Sequence, residues 1–83
     1  MDRFETGMLA RSKAGRDAGK VFVIIGVDGE YVYLADGRLK TIDRPKKKKK
    51  KHTQIILEKY DVTNADDVKI KRILKEWNRE EKL

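Results

Sequence analysis

Apolar residues in the first sixty positions recur at the spacing of short strands. Met8 to Ser12 reads as a first strand. Lys20 to Val27 is the clearest one: Val21, Val23, Ile25 and Val27 share one face of an extended segment, and Phe22 and Ile24 share the other. Its β-branched residues suit a pleated surface. Tyr31-Val32-Tyr33-Leu34 reads as the returning strand, Leu39 to Ile42 as a short fourth, and Thr53 to Glu58, with Ile55-Ile56-Leu57, as the last. Turn signals separate them. Ser12 to Gly19 is a loop whose two glycines are able to take positive φ. Asp28-Gly29 carries a type I′ hairpin signal, and Asp36-Gly37 repeats it eight residues on, as in a meander.

After Tyr60 the period changes. Ile70, Ile73, Leu74 and Trp77 fall at i, i+3, i+4 and i+7, which predicts an amphipathic helix from Ala65 to about Arg79, with Lys69, Lys71, Arg72 and Lys75 on its flanks. Thr63 or Asn64 is the expected cap, with Asp66 and Asp67 offsetting the dipole in the first turn. The expectation is a mainly β fold: a small SH3-like barrel of about five strands with a C-terminal α-helix. Closing the sheet protects strand edges that otherwise pair with other chains. Residues 1–59 form the barrel, including a lysine loop at 44–52, and residues 60–83 a helical appendage.

Charge changes the picture in one place. The chain has 83 residues, 42% of them charged, and a net charge of +7. Residues 38–52 hold 9 Lys/Arg against one Asp, which is +8, while residues 1–37 sum to −1 and 53–83 to zero. The excess centres on Lys46 to Lys51, six lysines after the only proline, Pro45. Six adjacent ammonium groups repel one another, so the segment is expected to be solvated or to lie against an anion. Pro45 excludes a continuing central strand. With no cysteine, neither a disulfide framework nor a cysteine-based zinc site is available. No apolar stretch approaches a membrane span, and Met1 to Glu5 lacks the layout of a signal peptide, so a cytoplasmic location is expected.

The segment Ala14-Gly15-Arg16-Asp17-Ala18-Gly19-Lys20-Val21-Phe22-Val23-Ile24 resembles a KOW motif. The hairpin from Asp28 to Val32, the Asp36-Gly37 turn and the basic stretch from Arg44 to Lys51 follow in the order seen in KOW-domain proteins of archaeal and eukaryotic large ribosomal subunits and in small bacterial KOW RNA-binding proteins. The resemblance covers about residues 5–57 and leaves out the helix. It implies an SH3-like barrel that binds RNA, with ribosomal RNA as the expected partner and ribosomal proteins as further neighbours. It places contacts on the glycine loop (Lys13, Gly15, Arg16, Gly19, Lys20) and on the basic loop.

The residues themselves point the same way. Lysines neutralise phosphates as point charges and release counterions without reading base edges. Five such contacts to single-stranded RNA give a slope of log K against log salt of roughly −3.5. The candidate contacts are Arg11, Lys13, Gly15, Arg16, Gly19, Lys20, Arg38, Lys40, Arg44 and Lys46, Lys47, Lys48, Lys49, Lys50 and Lys51. In the glycine loop, backbone N–H groups are expected to approach phosphate closely. Gly15 to Lys20 is not a nucleotide-binding P-loop, because the spacing is one residue short, no Ser/Thr follows the lysine, and a strand comes next. Tyr31 and Tyr33 share a face, as stacking on bases requires, although core or rim packing is the favoured reading for them. Phe22 and Trp77 read as packing residues. His52 stands without a Ser/Asp arrangement, and the carboxylates form no spaced pair or metal cluster, so the expectation is a monomeric, non-enzymatic module with no cofactor and no membrane partner. The rival is a protein-interaction module using the barrel and the apolar helix face. A nuclear-import or membrane-surface role for the lysines, and nonspecific DNA binding, are further alternatives.

Overall fold

The computed structural model describes residues 3–81. Met1 and Asp2 of the expected barrel unit, and residues 82–83 of the expected appendage, lie outside them. The chain is mainly β, an SH3-like arrangement of five antiparallel strands followed by one helix: β1 (Met8–Ser12), β2 (Val21–Asp28), β3 (Tyr31–Ala35), β4 (Lys46–Lys49), β5 (Thr53–Lys59) and α1 (Asp67–Glu81). The strands lie in one open sheet in the order β4-β3-β2-β1-β5. A single 3-10 turn, Lys50–His52, joins the two edge strands. Among the described residues no helix is long and apolar enough to cross a membrane.

β2 is central, and both of its faces are covered. That accounts for the unbroken apolar run Val21-Phe22-Val23-Ile24-Ile25. Met8, Ala10, Phe22, Ile24, Val32 and Leu34 form one core, joined by Phe4 and Ile55. Leu9, Val23 and Ala35 face the other way and form a second core with Ile70, Ile73 and Trp77 of α1. The helix therefore packs on the sheet through the stripe expected of it. Burying a side chain of this kind contributes about 1.5–3 kcal/mol, so the second core is a substantial part of the stability. The apolar face named for the protein-interaction rival is the face already covered.

Three expectations need correction. First, Leu39 to Ile42 is not a strand. It lies in an irregular connection between β3 and β4, with Leu39 79% exposed. Asp36 organises that connection, its Oδ1 accepting from the Arg38 and Lys40 N–H groups at 2.8 and 2.9 Å. The Ile42 N–H donates to Asp67 Oδ1 at 2.9 Å, which ties the connection to the helix start. Gly37 (φ 77°) is pressed against the same place, where a Cβ would overlap Asp67 O and Lys71 Cγ. Second, the two residues that turn the β2–β3 hairpin are Gly29 and Glu30, since Asp28 pairs with Tyr31. Only Gly29 has positive φ (58°), the pattern of a II′ rather than a I′ turn. Third, the helix cap is Asp66: its Oδ1 accepts from the Lys69 N–H at 2.9 Å, while Asn64 takes a left-handed φ of 54° two residues earlier.

A bulge adds one change of sidedness. Ile24 pairs with Leu34, but Gly26 pairs with Tyr33, which leaves Ile25 as the extra residue. Directly opposed residues lie on the same face. Val27, opposite Val32, is therefore moved to the Phe22/Ile24 face and no longer follows Val21, Val23 and Ile25.

Candidate nucleic-acid interface

Four lysines of the run, Lys46–Lys49, form a β-strand rather than a loop, and Lys50 and Lys51 begin the 3-10 turn that follows. Lys46, Lys47, Lys48 and Lys49 pair with Leu34, Tyr33, Val32 and Tyr31 along β3. Pro45 stands just before this strand, where a missing N–H costs the ladder nothing. The strand is an edge, and lysine is a residue that guards edges against pairing with other chains. Pleating then divides the run. Lys46 and Lys48 lie on the side of Leu34 and Val32, and Lys47 and Lys49 on the side of Tyr33 and Tyr31.

The inward pair meets a carboxylate. Lys46 Nζ is 3.0 Å from Asp17 Oδ2, and Lys48 Nζ is 3.1 Å from Asp17 Oδ1. Lys48 also donates to the Ala14 carbonyl at 2.8 Å, and its side chain is only 11% exposed, against 31% for Lys46. The Ser12 hydroxyl donates to Asp17 Oδ1 at 2.8 Å. Among the described residues Oδ2 has no aligned hydrogen-bond donor and is held by the Lys46 ion pair. Burial pushes the Asp17 carboxyl up, but the Ser12 hydroxyl and the two ammonium groups outweigh it and hold the acid well below its ordinary 3.8. The anion that the lysine run needs is thus partly supplied by the chain itself.

This contact joins the two segments expected to act together. Residues 13–20 connect β1 to β2, with Gly15 and Gly19 at φ 84° and 90°, as their placement in a tight loop requires. The N–H groups of Ala18, Gly19 and Lys20 donate to Gly15 O, Ser12 O and Asp17 O. Those three amides are committed within the loop, so they do not form the phosphate cradle expected there. What the loop presents outward is charge: Lys13, Arg16 and Lys20 are exposed.

The outward pair lies with aromatic rings. Lys47 Nζ sits 4.4 Å from the centroid of the Tyr31 ring. Tyr33 packs over Gly26, where a Cβ would come within 3.3 Å of its Cδ2. Tyr31 and Tyr33 are both half-buried. Tyr31, Tyr33, Lys47 and Lys49 thus form one patch of cations and partly open rings. Past the strand end, Lys50 Nζ lies 5.6 Å from the Phe4 ring, and Lys51 and His52 are exposed.

The remaining candidates are dispersed. Arg11 donates through Nη1 to Gly19 O at 3.3 Å and lies 5.9 Å from the Trp77 ring. Arg38 and Arg44 are exposed in the β3–β4 connection, and Lys40 is half-buried there. Lys71, Arg72 and Lys75 were expected only as helix flanks. The structure brings them beside Arg11 and Arg38, along an open groove of ≈ 1050 Å³ between α1 and the sheet. Their i, i+1, i+4 spacing was visible in the sequence, but the neighbours they acquire from β1 and the β3–β4 connection were not.

No family model matches the chain, and no curated protein matches it.

Proposed function

We propose that this protein is a non-catalytic, KOW-type RNA-binding module that acts in the cytoplasm and associates with ribosomal RNA. The observation that carries the proposal is the sidedness of β4. Lys47 and Lys49 stand outward beside Tyr31 and Tyr33, the combination of cations and ring faces that single-stranded RNA engages. Edge protection accounts for lysines on β4, but Lys50 and Lys51 lie beyond the strand, where there is no ladder edge to guard. The order of the glycine loop, the hairpin and the basic strand adds support through its resemblance to KOW proteins.

Since Asp17 engages Lys46 and Lys48, phosphate contacts from this run fall to Lys47 and Lys49 on the strand and to Lys51 in the turn after it. Three contacts give a slope of log K against log salt of about −2 from this patch. Filter binding of single-stranded RNA across a salt series tests the proposal. Absence of binding at about 50 mM salt rejects RNA, and a flat slope rejects the phosphate mechanism. Equal affinity for duplex DNA would replace RNA binding with general polyanion binding.

A further inference from the structure

The groove between α1 and the sheet is unlike the apolar helix face beneath it. Arg11, Arg38, Lys71, Arg72 and Lys75 line it, with Trp77 at its base. Among the described residues the one carboxylate on its wall, Asp36, is occupied through Oδ1 by two backbone N–H groups. Five cations against one engaged acid among the described residues make the trough positive. Lys71 and Lys75 are one helical turn apart, about 6 Å between neighbouring side-chain stems, and Arg72 adjoins Lys75 at i, i+3 on the flank beside them, so the three cations line one wall of the groove. A row of cations along a track matches a chain of successive phosphates better than it matches one isolated anion. Low-dielectric walls on both sides strengthen the field inside such a trough.

The groove also lies on the same side of the sheet as the tyrosine–lysine patch. Arg11 pairs with Val21, and Tyr33 with Gly26, all on the face that carries the second core. We infer that the RNA strand held at β4 has a second contact in this groove, where its phosphates meet Lys71, Arg72 and Lys75 of α1. The helix is then part of the RNA interface as well as a cover for the sheet. The inference rests on the RNA reading above and extends it to an element outside the KOW resemblance.

The test uses the full chain and a labelled single-stranded RNA. The Lys71→Gln/Arg72→Gln/Lys75→Gln variant changes three exposed side chains. It should keep the parent's circular dichroism and melting temperature. Its affinity should fall at least tenfold at about 50 mM salt, and its salt slope should become shallower by about 2. If the triple variant melts early, Lys75→Gln alone should reduce the slope by about 0.7. Unchanged affinity and slope in a folded variant overturn the groove contact while leaving the β4 reading intact. Failure of the parent protein to bind RNA at all overturns both. Polyglutamate that competes as well as unlabelled RNA of equal charge overturns the inference in favour of an acidic polypeptide.

Discussion

Asp17 Oδ1 and Lys48 Nζ meet at 3.1 Å across 31 residues of chain, and that contact holds the β1–β2 loop against the edge of the sheet. The loop's only carboxylate is used to seat two lysines of the run. The basic strand and the glycine loop therefore form one surface, set by a local ion pair before any partner arrives.

Asp17→Asn should lower stability by about 2 kcal/mol, because two charge-assisted contacts are lost while the lysines stay in place. For a chain of this size that is roughly 8–16 °C in melting temperature. The pH dependence follows from the depressed acidity of Asp17. Its stabilisation is fully present above the ordinary value of 3.8 and is lost as pH falls below that towards the folded value. Urea denaturation at pH 7 and pH 3 should show a larger drop for the parent than for Asp17→Asn. Equal drops would mean that the ion pair does not contribute.

Two double variants remove the same charge with opposite results. Lys47→Gln/Lys49→Gln should weaken RNA binding and leave the melting temperature within about 4 °C, since exposed surface changes stay within about ±0.5 kcal/mol. Lys46→Gln/Lys48→Gln should lower the melting temperature, because it strands Asp17, and should change RNA affinity less. Parallel melts and RNA titrations check this; equal RNA losses from both pairs would refute the division of the run by pleating.

Gly37→Ala should destabilise by more than 2 kcal/mol. The residue has φ 77°, and its Cβ would run into the backbone of Asp67. Gly29→Ala is the control: φ is 58°, but no atom lies within 4 Å of an added Cβ, so the cost is about 1–2 kcal/mol of backbone strain alone. Thermal melts of the two variants should rank in that order.

Asp66→Ala should cost about 1 kcal/mol through loss of the cap on the Lys69 N–H, and Thr63→Ala much less. The loss should appear in the far-ultraviolet melt and reach the whole fold, because α1 shares its buried face with Leu9, Val23 and Ala35.

The strands rich in apolar residues, β1, β2, β3 and β5, were readable from the chain almost residue by residue, as was the helix stripe. The fourth strand was not. Six identical polar residues carry no period, so β4 gains its sidedness only from Val32, Leu34 and Asp17 across the sheet. Leu39 and Ile42 misled for the converse reason: their apolar character serves a connection that Asp36 and Asp67 fasten by hydrogen bonds. Val27 changed face because the extra residue at Ile25 leaves no mark in composition. At the interface, the basic residues were readable as a set. Their division into seated, outward-facing and groove-lining groups depends on contacts between distant segments.

A strand made of one repeated residue has no internal address. If β4 slid along β3 by one position, every side chain would change face and be replaced by an identical one, so nothing within the run opposes the slip. Its position is held from the ends and from outside: Pro45 before it, the Lys50 N–H bonded to Glu30 O after it, and Asp17 in front of it. The run therefore behaves as an interchangeable tape between fixed stops, and a lysine gained or lost within it changes the slack at the ends rather than the surface presented.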